Sequence, residues 1–227
     1  MLRLILRSAL MVFLLCAGAF GLAVAAGQAP PDPLIEQVLH EGCKGIDRPC
    51  WFGIVPGVTS FQDAIDRLYE HPWIGSVDVS ELPSPYVSWL WASDAPAAIR
   101  GEGASAGGYL WVSYPDYHLV EGIHVWTALS QGEYWLSLGQ PERAGQALGA
   151  IGYSSAAPAG KGQDRVIAST FANGAVILHS GFRCPATIRG FFSAAAAISF
   201  YDRPPRAVGD LVAGGLRDWL FRAPCPG

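Results

Sequence analysis

Charge is scarce in this chain. Only 15% of its 227 residues are charged, and the acidic ones lead, 19 against 15. That balance argues against a nucleic-acid partner, which needs a basic footprint. No C-x-x-C pair occurs, which argues against a four-cysteine zinc knuckle. Gly 27 and Pro 17 promise many turns, yet no collagen-like period accompanies them. What the chain has in quantity is apolar side chain, 51% of the total. That is too much for a disordered chain, and the length allows one domain, or two small ones, with a real core.

The N-terminus has the pattern of an export signal. Arg3 and Arg7 stand before a run without charge from Ser8 to Ala26. Its apolar heart is Leu10 to Ala17, and Ala23-Val24-Ala25 fits the small-x-small cleavage site of a secretory leader. We expect residues 1–26 to be a signal peptide; retained, residues 8–26 would be just long enough for a membrane anchor. A lipoprotein reading of Cys16 fails because Leu15, the residue before it, is not small. Without residues 1–26, 13 positive charges face 19 negative ones, a net of -6.

Four cysteines then remain, Cys43, Cys50, Cys184 and Cys225. An even number in an exported chain predicts two disulfides, with three pairings open. Cys43–Cys50 with Cys184–Cys225 is preferred, because each pair sits at one end of the mature chain. On a chain-entropy argument the short loop contributes ~2.5 kcal/mol and the long one ~4 kcal/mol.

Residues 27–42 read as a spacer, in which Leu34 to Leu39 is either a short helix or the spacer's end. A helix over about 60–70 follows from Phe61, Ala64, Ile65 and Leu68 on one face, with Thr59 and Gln62 at capping-box spacing and Pro72 as a stop. Strands are expected at 86–91, 109–114 and 119–126, the last with a bulge at Glu121-Gly122. Ser130 and Glu133 repeat the capping-box spacing, and Gly139 and Pro141 close that helix. Asn173-Gly174 joins 165–172 to 175–179 as a type I′ hairpin. A strand at 195–201 and a last helix at 209–221 complete the pattern. The fold class is α+β, short capped helices on an antiparallel sheet, with a hint of two tandem helix-plus-sheet repeats over 43–126 and 127–227.

Two stretches carry a resemblance. Pro49 to Thr59, and Leu136-Ser137-Leu138-Gly139-Gln140-Pro141, resemble elements of uncharacterised exported bacterial proteins. In style they are similar to the small α+β modules of outer-membrane assembly lipoproteins and β-lactamase inhibitory proteins. The resemblance implies a short helical segment against an antiparallel sheet and a protein partner. It carries over no site residues, and this chain lacks the lipoproteins' lipobox.

Three sets of residues invite chemistry. Ser105 stands in Gly103-Ala104-Ser105-Ala106-Gly107, the G-x-S-x-G pattern. A nucleophile elbow needs a strand before the serine and a helix after it; here a Gly/Ala-rich loop precedes and a strand follows. The same strand argues against a dinucleotide fingerprint at 101–106. Asp116, His118, Glu121 and His124 have metal-ligand chemistry, but on one continuous strand His118 and His124 lie ~20 Å apart. Eight Trp survive removal of the signal, and an exposed indole can stack on a sugar or anchor a protein. Trp89, Trp91 and Trp111 are the strand-borne candidates for such a surface.

The expectation is therefore an exported, non-catalytic protein-interaction module without cofactor. A carbohydrate or small-ligand binder using exposed Trp is the second reading. A hydrolase using Ser105, or a metal at His118 and His124, is the third.

Overall fold

Alternating apolar and polar residues build most of the molecule, because a strand buries every second side chain on a given face. The computed structural model describes residue 11 and residues 33–80, 85–97, 99–100, 107–112, 118–139, 141–146, 164–183, 188–203 and 205. The proposed signal (apart from Met11), Ser105, Asp116, Cys184, Cys225 and the expected helix at 209–221 lie outside these. Among the described residues no helix is long and apolar enough to cross a membrane.

Three helices pack against one side of the sheet. The segment 27–42, read as a spacer, is helical over Pro33–His40 (α1). Ile35, Val38 and Leu39 are buried there, and their spacing of three and four residues makes one apolar stripe. Helix α2 spans Phe61–Glu70 and buries Ala64, Ile65 and Leu68, as their spacing predicts. Its cap departs from expectation. Ser60, not Thr59, accepts the Asp63 N–H at 3.1 Å. Thr59 is buried and its hydroxyl accepts from the Val55 N–H at 2.8 Å, so the preceding turn has already claimed it. Helix α3, Gln131–Leu138, has the expected box: Glu133 accepts from the Ser130 N–H at 2.6 Å, and Ser130 Oγ from the Glu133 N–H at 3.3 Å. A short helix, Ile188–Phe192 (α4), comes before the last strand.

The strands are β1 Ile74–Ser80, β2 Tyr86–Trp91, β3 Gly107–Val112, β4 Val120–Ser130, β5 Arg143–Gln146, β6 Asp164–Phe171, β7 Val176–Arg183 and β8 Ala195–Tyr201. They form one eight-stranded antiparallel sheet in the order β1-β2-β3-β4-β8-β7-β6-β5. The fold is α+β and mostly sheet. Strand β4 runs through residue 126, and its partner in the centre is β8. The β3–β4 register shifts between Trp111 and Val112, whose partners are Gly122 and Val120, so Glu121 is the bulged residue. At the 172–175 turn Asn173 and Gly174 both take positive φ, 57° and 82°, as a type I′ turn demands. Ala172 is left-handed too, at 50°, and the ladder therefore stops one pair earlier, at Phe171 and Val176.

The helix-covered face holds the main core. Trp51 and Trp89 stack at 4.9 Å, and Trp91 meets Trp51 edge-on at 6.1 Å. Around them lie Val87, Leu110, Ile123, Val125, Ile198 and Phe200. Gly108 is required here: a Cβ would run into the Trp89 ring and the His124 carbonyl. The loop bearing Trp51 is tied by the Cys43–Cys50 disulfide, with Cα atoms 5.8 Å apart. Of the cysteine pairings foreseen, this one is formed.

Candidate binding site on the second sheet face

Strand parity assigns each candidate aromatic to a face. Register pairs Tyr86 with Trp111, Ser88 with Tyr109 and Leu90 with Gly107, so these six share the face away from the helices. Trp89 and Trp91 have the opposite parity. They are 2% and 7% exposed, and this corrects their reading as a binding surface: the helices and the Trp51 loop cover the face they point to. Trp111 is on the second face and half-buried. It lies across Gly122, where a Cβ would strike its ring.

The middle of the second face is buried but polar. His124 on β4 stands opposite Ser199 on β8, and His124 Nδ1 shares a 2.6 Å hydrogen bond with Ser199 Oγ. His179 on β7 joins them, its ring 5.8 Å from His124. Tyr109 and Trp126 contact His124 at 5.1 and 4.7 Å, and Tyr201 meets Trp111 at 5.5 Å. Burial, helped by the neighbouring His179, drives the His124 pKa down to about 3. Burial alone takes His179 down to about 4. Both rings are therefore neutral at pH 7. Burial pushes the Tyr201 phenol up to about 12, against the lowering effect of its hydrogen bond with Ser199. Ser199 and His124 have nucleophile-and-base residue types, but both are buried, which closes Ser199 to a substrate in this arrangement.

Toward β1 the same face opens. A groove of about 320 Å³ is lined by Ser76 and Asp78 of β1, Ser88 and Leu90 of β2, Gly107 and Gly108 of β3, and Trp126 of β4, with buried Trp89 at its base. Leu90 is 51% exposed on its rim, and Tyr86, two positions along the same face of β2, is 41% exposed. Among the described residues strand β1 is the end of the sheet, and its Gly75, Ser76, Asp78 and Val79 are exposed. Among the described residues no cationic side chain makes an ion pair with Asp78.

His118 and Glu121 are exposed, whereas His124 is buried in the sheet centre. Among the described residues no three His, Cys, Asp or Glu side chains gather as a metal site. Sequence reasoning singled out neither His179, Ser199, Tyr201 nor Asp78. The signal that could find them is strand parity, but only with the β4–β8 pairing in hand, and that pairing joins residues far apart in the chain. No protein-family model, curated protein or solved structure matches this chain.

Proposed function

We propose that this is an exported, non-catalytic module that binds another protein through the open part of its second sheet face. The observation that carries the reading is Leu90, exposed at the rim of a groove, with Tyr86 exposed four residues away on the same face of β2. Large apolar side chains on a strand surface stay in unfavourable contact with water unless a partner covers them. The resemblance of Pro49–Thr59 and Leu136–Pro141 to exported protein-binding modules agrees with it. Export is supported by the leader pattern and by the Cys43–Cys50 bridge, which persists in an oxidising compartment.

A photo-crosslinking residue in place of Leu90 tests the reading in cells that make the protein. A discrete adduct is expected from position 90 and none from Leu136, equally apolar and 67% exposed on α3. Equal labelling from both, or from neither, overturns it. Mass spectrometry of the exported protein should find a chain beginning at Ala26 or Gly27; an intact Met1 would refute cleavage.

A second reading is a small-ligand or carbohydrate site. It is favoured by the half-buried Trp126 indole beside Asp78 and Ser88 hydrogen-bonding groups in one groove. It predicts a change in Trp fluorescence on adding glycans, lost in Trp126→Ala.

A further inference from the structure

The groove is the place of a missing side chain. Register sets Ser76 of β1, Leu90 of β2, Gly107 of β3 and Trp126 of β4 in one row across the second face, Gly107 lying one step beyond the Gly108–Val125 pair. Glycine is required at 107, since a Cβ would strike the Trp89 carbonyl. A slot therefore stays open between Leu90 and Trp126, whose backbones are two strand spacings, about 10 Å, apart. That gap takes one flat ring with an apolar side chain on either side. The Trp126 ring is held ready for it, packed on Tyr109 at 5.4 Å and edge-on to His124 at 4.7 Å, while Trp91 Nε1 donates to the Trp126 carbonyl at 2.9 Å. In the next row Asp78 stands opposite Ser88. Asp78 is the groove's single charged residue, and among the described residues no cation pairs with it.

We propose that this groove binds a small aromatic amine of the arylalkylamine class, its ring over Gly107 between Leu90 and Trp126 and its ammonium on Asp78. This rests on the small-ligand reading of the groove and names the ligand's chemistry. The slot selects the ring, and the carboxylate selects the charge. An anionic ligand would meet Asp78 with no cation in the lining to balance it. A net charge of -4 on the chain also favours the approach of a cation. Spacing sets the length of the tail. From Gly107 to Asp78 the path crosses two strands and two residues, about 12 Å. The Asp78 side chain and one charge-assisted hydrogen bond span about half of it, which leaves two or three carbons between ring and nitrogen. Ser88 of β2 flanks that path, and its hydroxyl can accept a second ammonium proton.

The test titrates the full-length protein with phenylpropylamine by calorimetry, beside three probes that each change one feature. Phenylpropanol lacks the charge, propylamine lacks the ring, and phenylpropionate reverses the charge. Each should bind about tenfold or more weakly than the amine. Asp78→Asn should bring the amine down to the affinity of the alcohol, and Trp126→Ala should weaken both. Equal affinity of wild type for amine and alcohol overturns the cation, and equal affinity for phenylpropylamine and propylamine overturns the ring slot. An amine that binds Asp78→Asn as tightly as wild type sits elsewhere and overturns the site. Methyl glucoside, titrated in parallel, separates this inference from the reading it rests on. If the sugar binds wild type but not Trp126→Ala, and the amine does not bind at millimolar concentration, the inference falls and the small-ligand reading stands. If neither binds, both fall.

Discussion

The two faces of the sheet are both buried at their centres, and they are built from different chemistry. On the helix-covered face β2, β3, β4 and β8 present Val87, Trp89, Leu110, Ile123, Val125, Ile198 and Phe200. On the other face the same strands present Ser88, Tyr109, His124, Ser199 and Tyr201. The first arrangement gains from every side chain removed from water. The second gains from its rings but must keep histidines neutral and hydroxyls bonded to do so. The same backbone therefore carries a face made for stability and a face whose stability depends on protonation. The groove lies where the second face gives way to solvent.

The comparison breaks most sharply at tryptophan. Trp51→Ala empties a fully buried site beneath Trp89, and about 3–5 kcal/mol of stability should be lost in urea unfolding. Trp126→Ala, half-buried on the second face, should cost well under half of that. Similar losses from the two would refute the division of labour between the faces.

Acid should act more strongly on the second face, which buries two histidines, than on the helix-covered side, where burial lowers the pKa of one, His71, stacked on Phe52. His124 and His179 are neutral when folded, with pKa values near 3 and 4, against 6.5 for the free side chain. The unfolded chain therefore binds protons that the folded chain refuses, and stability falls as pH drops below 6.5, until the folded pKa values are reached. The slope climbs from half of about 1.4 kcal/mol per pH unit for each ring at pH 6.5 to nearly all of it at pH 5, so the pair should cost about 3 kcal/mol across that window. Urea midpoints measured across that window in wild type and in the double variant His124→Gln, His179→Gln check this. A slope that survives the double substitution assigns the acid sensitivity elsewhere.

Most of the local structure was legible in the sequence, and the reasons are local. Phe61, Ala64, Ile65 and Leu68 mark α2, and Ser130 and Glu133 mark the start of α3, because helix periodicity and capping act within four residues. Asn173-Gly174 marks its turn for the same reason. The faces were not legible. Trp89 and Trp91 share a parity, as the pattern showed, but parity cannot say which side the helices take. The meeting of His124, Ser199 and His179 depends on β4 and β8 pairing across the middle of the sheet. Asp78 meets Ser88 and Trp126 in one groove only because β1, β2, β3 and β4 are neighbours in the sheet.

The disulfide sharpens the comparison further, since it ties only the loop that feeds the helix-covered face. Replacing Cys43 and Cys50 together with serine should lower stability by about 2.5 kcal/mol, the closure entropy of its short loop. His71 stacks on Phe52 beside this loop and pairs with Glu41, so the comparison is made in a His71→Gln background, where the drop in urea midpoint should be the same at pH 7 and pH 5. A loss that still grows at pH 5 there would couple the two faces.

The smallest effect on stability should come where the effect on binding is largest. Leu90 projects into solvent from β2, so Leu90→Asp buries no charge and leaves no cavity; its effect should stay within about 0.5 kcal/mol. Its effect on partner capture should be the reverse. If the apolar rim makes the contact, a photo-crosslinking residue at position 86 loses its adduct in the Leu90→Asp background while the urea midpoint stays in place, because the new carboxylate would have to be stripped of water against the partner. An adduct of undiminished yield would take the apolar rim out of recognition.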